Sequence, residues 1–189
     1  MRIIGGRARG LHLAPVGAGD AAAHLRPTSD RVRESMFNLL VNGGYGNPLQ
    51  GARVLDLFAG TGALGLEALS RGASHTTFVE NGKAGLALLK RNIALMRAEG
   101  ETILLRRDAT QMGMNETPAH DLVFLDPPYG KGLGEKALLS GLAGGWLAPG
   151  ALVVWEDGQP PPPLSGFDRM DQRKYADTIV TILKAPDGT

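Results

Sequence analysis

The chain has 189 residues, 43% of them apolar, a net charge of +1 and no cysteine. That is enough for one ordinary domain with a sizeable core, and it excludes disulfides, thiolate metal sites and a cysteine nucleophile. No apolar run approaches the ~20 residues of a membrane span.

MRIIGGRARG lacks the apolar segment of a signal peptide, so a cytoplasmic protein is expected. The same residues open a stretch, RIIGGRARGLHL, in which two short apolar pieces are split by glycines. It predicts a small hairpin or extended arm over residues 2–13, followed by a loop rich in Ala, Gly and Pro to residue 27. Six arginines, Arg2, Arg7, Arg9, Arg26, Arg31 and Arg33, fall within the first 33 residues against Asp20 and Asp30, a local net of +4. The remainder is mildly acidic. Arginine offers phosphate a planar donor fork, so this basic arm points to a polyanion. The histidines His12, His24, His75 and His120 have no ligand-like spacing, and no metal is expected.

Residues 28–41, TSDRVRESMFNLLV, place Val32, Met36, Leu39 and Leu40 on one helical face, with Thr28, Ser29 and Asp30 as possible N-caps. From residue 52 the pattern alternates. Strands are expected at 52–58, 75–80, 102–108, 121–126 and 151–157, and helices at 63–72, 82–98 and 135–147. That is an α/β domain with a mainly parallel sheet. A stiff proline loop follows, QPPPPLSG, residues 159–166. FDRMDQRKY and DTIVTILK then read as two antiparallel strands joined near Ala176. The whole chain, residues 1–189, is expected to form one domain, with residues 1–27 as its arm and 28–189 as its core.

The turn after the first strand reads DLFAGTGALG. Its glycines let a ligand approach the backbone, and the following helix presents free N–H groups. Gly60, Gly62 and Gly65 match GxGxxG, which alone is a weak signal. Glu80 ends the second strand where a ribose carboxylate sits in this topology. Asp56 lies just before the glycines. A carboxylate there repels a pyrophosphate and suits an ammonium group, such as the methionine end of S-adenosylmethionine. Asp108, closing the third strand, can accept from an adenine amine or cap a helix.

The fourth strand ends in DPPYG. Asp126 can accept from an exocyclic amine. Pro127 fixes the backbone so that its carbonyl can accept the second hydrogen. Tyr129 offers a face for a planar base, worth ~1–3 kcal/mol in stacking. Together they hold a flat amine toward a methyl donor. Pyrimidine C5 methylation through a thiolate adduct is excluded for want of a thiol.

In this order, RIIGGRARG, RPTSDRVRESMFNLL, DLFAGTGALGLEALSRGA, FVEN, FLDPPYGKG and RKYADTIVTIL resemble the RsmD family, bacterial 16S rRNA guanine-N2 methyltransferases of class I. The resemblance implies a Rossmann-like fold whose seven-stranded sheet closes with an antiparallel hairpin. It implies that Asp56, Gly60, Thr61 and Gly62 surround the methionine moiety, that Glu80 holds the ribose and Asp108 with Ala109 the adenine, and that Phe58, Ala59 and Asn81 also line the cofactor site. Asp126, Pro127, Pro128 and Tyr129 would hold the guanine, and the six arginines would contact 16S rRNA, free or in a small-subunit assembly intermediate. A monomer is expected. Two departures stand out: Ala176, where the family's last motif suggests glycine, and the proline run 160–163. Rival readings keep the chemistry but methylate adenine N6 or a protein glutamine. Others make the chain an NAD oxidoreductase or a non-catalytic RNA-binding module.

Overall fold

The computed structural model describes residues 1–16 and 28–188. In chain order its elements are α1 (Asp30–Asn42), β1 (Arg53–Leu57), α2 (Ala63–Ser70), β2 (His75–Glu80), α3 (Lys83–Met96), β3 (Thr102–Arg106), β4 (His120–Leu125), α4 (Leu133–Ala143), β5 (Leu147–Asp157), β6 (Asp168–Tyr175) and β7 (Thr178–Lys184). The strands form one sheet in the order β3-β2-β1-β4-β5-β7-β6. The chain moves outward from β1 through β2 to β3, then restarts at β4 on the other side. That reversal opens a crevice beyond the carboxyl ends of β1 and β4, where such sheets bind ligands.

All pairings from β3 across to β5 are parallel, whereas β7 runs antiparallel to both β5 and β6. This is the expected Rossmann-like α/β fold with its antiparallel hairpin. Side chains alternate between the two faces. Val54, Phe78, Phe124 and Val154 pack with Phe37 and Leu40 of α1, Leu66 of α2 and Ile93 of α3. Leu55, Val79, Val123 and Trp155 pack with Ala137 and Leu138 of α4 on the other face.

The first helix starts where its cap chemistry dictates. Ser29 accepts from the Val32 N–H at 3.2 Å. The last helix ends earlier than the periodicity suggests. Gly144 and Gly145 follow Ala143, and Gly145 takes φ +72°. The freed residues join the sheet, so β5 begins at Leu147, which pairs with His120.

The arm forms a hairpin-like loop. Arg2 and His12 make an antiparallel bridge, and the Ile3 N–H reaches the Leu11 carbonyl at 2.9 Å. Its anchor is Glu67 of α2, fully buried, whose carboxylate accepts from the Ile4 and Gly5 N–H groups at 2.8 Å each and from Arg71 Nε at 2.7 Å. Every bond there involves a charged acceptor, the stronger kind. Ser70 adds a bond from the Ala8 N–H at 2.9 Å.

Ala176 is the first residue of the two-residue turn between β6 and β7, and it carries φ +54°. Asp177 does not share the positive φ. A positive φ at the first position alone is where a II′ turn takes glycine. Ala176→Gly is therefore expected to stabilise the fold by about 1 kcal/mol, seen as a melting temperature about 2–4 °C higher. A lower melting temperature would mean that the alanine methyl packs usefully.

Candidate active site

Four carboxylates close four neighbouring strands. Asp56 lies in β1 one residue before its end, Glu80 ends β2, Asp126 follows β4 and Glu156 lies near the end of β5. Each is two residues beyond a side chain of the α1–α3 face: Val54, Phe78, Phe124 and Val154. Period-two alternation therefore puts all four acids on that same face, at the ligand-binding edge.

Asp56 is buried, 1% exposed, and its Oδ2 accepts from the Gly65 N–H at 2.9 Å. A side chain at position 65 would press on that carboxylate and on Phe78, which is why glycine stands there. Among the described residues no cation faces Asp56. Burial pushes its carboxyl up to about 8, against the Gly65 bond that favours ionisation, while Glu80 adds repulsion. A buried acid with one oxygen unused calls for a cationic or donor ligand.

Glu80 ties the glycine turn to the start of α3. Its Oε2 accepts from the Gly60 N–H at 2.8 Å and its Oε1 from the Gly82 N–H at 2.6 Å. Each oxygen keeps a second lone pair for a diol. Gly60 and Gly62 take φ +54° and +77°, and Phe58 takes +59°, a strained value for a non-glycine residue. Phe58, Glu80, Asn81 and Ala109 converge with Val79 and Arg107 on a cleft of about 10 Å³. That is room for one water. Arg107, bonded to the Met112 carbonyl, is the longest side chain that lines the cleft. Ala59 and Thr61 are buried in the turn. Asp108 bonds the N–H and hydroxyl of Thr110, both at 2.8 Å, through one oxygen, so it caps the local turn and keeps the other oxygen for an amine. A larger cavity, about 190 Å³, lies on the other face beside Thr77, Ile103 and Trp146, away from all four acids.

These residues fit S-adenosylmethionine. Asp56 offers the unpaired carboxylate for an ammonium group, Glu80 the acceptors for a ribose, and the glycine turn a backbone cradle.

In DPPY, Asp126 is half-buried and Pro127 buried, while Pro128 is half-buried. Tyr129 is 42% exposed, and its ring lies near Gly158, where a Cβ would come within 3.2 Å of it. Its hydroxyl is 3.4 Å from Glu156 Oε1 and 3.5 Å from Thr178 Oγ1. Burial raises the phenol to about 12. Asp126 is held well above the usual carboxylate range, first by burial and then by the charges of Glu156, Asp56 and Asp157.

Glu156 is a site residue that no sequence motif marks. It is 4% exposed and accepts from Thr28 Oγ1 at 2.8 Å. Burial raises its pKa, and the Thr28 and Tyr129 hydroxyls oppose the rise. A weak signal for it exists: WED closes the fifth strand as LD closes the fourth. A second such residue is Asn92, fully buried in α3. Its Nδ2 donates to the Thr61 carbonyl at 2.8 Å, and its Oδ1 accepts from the Ala14 N–H at 2.7 Å, joining glycine turn to arm.

The six arginines divide. Arg33 is a correction: it is fully buried and donates to the Arg2 carbonyl and, at 2.9 Å, to Asp30, so it cannot reach a phosphate. The helix turns it inward beneath the arm, and desolvation lowers its pKa. Arg7 is exposed but paired with Glu101, just ahead of β3, at the edge opposite the acids. Arg2, Arg9 and Arg31 are exposed. Arg26 lies outside the described residues.

The family model described as "Conserved hypothetical protein 95" matches residues 1–184. The chain is 41% identical over 157 residues to Ribosomal RNA small subunit methyltransferase D of Escherichia coli, covering 82% of this chain and 74% of that one. The same-named protein of Haemophilus influenzae is 39% identical over 160 residues, covering 82% and 78%. The solved structure of yhhF from Escherichia coli superposes with a TM-score of 0.81 at 34% identity, covering 100% and 99%.

The chain belongs to the RsmD family. As an RsmD-type methyltransferase it keeps a positive φ at Ala176 despite the methyl group. Among the described residues no group of three His, Asp or Glu is placed to hold a metal ion, and no helix is long and apolar enough to cross a membrane.

The raised acids set a pH dependence. With Asp56 at about 8, the folded chain keeps a proton that the unfolded chain has already released, so stability falls as pH rises toward 8. His120, buried and lowered to about 4, and His75, also lowered by burial, act in the opposite sense, and that opposition fades as pH rises above their ordinary 6.5. The stability of the ligand-free chain, followed by its melting temperature, is expected to fall as pH rises from 7 to 8, by at most ~1.4 kcal/mol per pH unit per group. Asp56→Asn should flatten part of that slope, and an unchanged slope would remove Asp56 as its source.

Proposed function

We propose that this chain transfers a methyl group from S-adenosylmethionine to the exocyclic N2 of a guanine in 16S rRNA. The observation that carries the reading is the pairing of two acceptor-only carboxylates, Asp126 and Glu156, on adjacent strand ends beside an exposed aromatic ring. The family's named relatives act on small-subunit ribosomal RNA, which supports the same substrate class here.

The base stacks on the exposed ring of Tyr129. Asp126 accepts from the amine, and the Pro127 carbonyl accepts its second hydrogen. Acceptors on both hydrogens favour a pyramidal nitrogen and return its delocalised lone pair to it. Guanine presents N1–H and N2–H₂, an edge made only of donors, which carboxylates suit and an amide suits less well. S-adenosylmethionine, when bound, supplies an already activated sulfonium methyl, so alignment is the main demand. Asp126 need not take the proton before transfer. It receives it readily afterwards, because its pKa is raised. Asp56 holds the cofactor's ammonium group, Glu80 and Asn81 its ribose, and Asp108 with Ala109 its adenine. Arg2, Arg9 and Arg31 face RNA phosphate. The enzyme acts as a metal-independent monomer of the cytoplasm, on free 16S rRNA or an assembling small subunit.

The test is labelled S-adenosylmethionine with small-subunit rRNA, naked and as particles from a strain lacking the modification, digested to nucleosides. Label is expected in N2-methylguanosine. Label in N6-methyladenosine, or none, would overturn the reading. Asp126→Ala is expected to lower turnover by at least about 100-fold, the low end of a positioned proton acceptor's contribution. S-adenosylhomocysteine affinity by calorimetry should stay within about twofold of wild type, since transition-state and ground-state contacts separate in this way. Equal losses of both would move Asp126 into the cofactor site.

A further inference from the structure

The RKY segment at the end of β6 has no part in the chemistry described above. Its position is informative. Both β5 and β6 are antiparallel to β7, so β6 runs in the same direction as β5. Its last residues therefore reach the edge where the acids lie. The register is explicit. Glu156 pairs with Val180, which pairs with Arg173. Asp157 pairs with Ile179, which pairs with Lys174. Two strand spacings, about 10 Å, separate each basic residue from its acid.

The turn beyond them touches the base-binding ring, through Thr178 Oγ1 at 3.5 Å from the Tyr129 hydroxyl. By alternation Arg173 shares the face of Glu156, and Lys174 takes the other. Both are exposed. Asp171 holds Arg173 Nε at 3.2 Å and Nη2 at 3.1 Å, which orients the guanidinium without burying it. Strand β6 is the sheet's edge.

An RNA substrate brings a phosphate on each side of the target base into the field of Asp126, Glu156 and Asp157. Those acids repel it, and a cation near the pocket must offset them. Arg7 stands at the opposite edge, beside Glu101 ahead of β3. Arg33 is buried.

We propose that Arg173 and Lys174, at the end of the edge strand, grip the RNA phosphates that flank the target base. This rests on the reading of the site as one for an RNA nucleobase. The partner is RNA, and a ribosomal protein is the competing occupant.

The test compares Arg173→Gln with Lys174→Gln in one chain, and Arg7→Gln with Arg9→Gln in another. Binding of a naked small-subunit rRNA transcript is followed by fluorescence anisotropy against salt, together with methylation of the particles. The hairpin pair is expected to lower the slope of log affinity against log salt by about 1.4–1.8, because two phosphates are no longer neutralised. The RNA KM should rise about tenfold, with S-adenosylhomocysteine affinity within about twofold of wild type, since the two sites are separate. An unchanged slope on the transcript overturns the proposal. So does a loss seen only on particles, which assigns the hairpin to a ribosomal protein. So does a slope carried wholly by Arg7 and Arg9. Wild type that binds RNA but labels none overturns the methylation reading instead and leaves the slope to judge the hairpin.

Discussion

Strand alternation is the constraint from which the site follows. A parallel sheet forces every second residue to one face, and this chain spends four of those positions, at the edge of the crevice, on carboxylates. Apolar residues fill the same rows below them. The acids are thus held at the boundary between core and solvent, where burial makes ionisation costly and a donor ligand welcome. Asp56 and Asp126 are raised for this reason before any neighbour is counted.

The remaining architecture braces those positions. Buried polar groups tie the chain's first residues to the site, and each has a named partner. Glu67 holds the backbone of Ile4 and Gly5. Asn92 links Ala14 to the Thr61 carbonyl inside the glycine turn. Thr28, at the head of α1, bonds Glu156. Leaving any such group unpaired costs about 1–3 kcal/mol. The arm therefore supports the glycine turn through Asn92, while the head of α1 supports the base side through Thr28, which explains why the arm's sequence is more than a run of positive charge.

Much of this is legible in the sequence. The β1 turn, the strand-end acids Glu80 and Asp126, and the antiparallel hairpin follow from patterns whose period or glycine placement has a local cause. What the sequence hides is set by tertiary contact. Arg33 reads as one more surface cation, because helical spacing does not say that the arm will cover it. Glu156 has no motif of its own, and its meaning depends on β5 lying next to β4. The end of α4 is hard to read because Trp146 and Leu147 continue an apolar pattern. Two glycines end the helix and hand those residues to the sheet. The proline run 160–163 forms the connection from β5 to β6, and nothing in the structure assigns it more than that.

The site also has to solve a problem of sign. On the proposed reading, a guanine edge made of donors asks for negative charge, while the RNA that carries it is a polyanion. Raising the carboxyl pKa values softens the conflict, since a partly protonated acid repels phosphate less. It does not remove it, because the ionised form is the stronger acceptor for the amine. The remaining remedy is spatial: negative charge confined to the depth of the pocket and positive charge at its rim. Short side chains on Asp56 and Asp126 keep their charge close to the sheet, and on the proposed reading the long ones on Arg173 and Lys174 carry theirs outward. A Debye length of about 8 Å at physiological salt is short enough for the two zones to act separately on base and backbone.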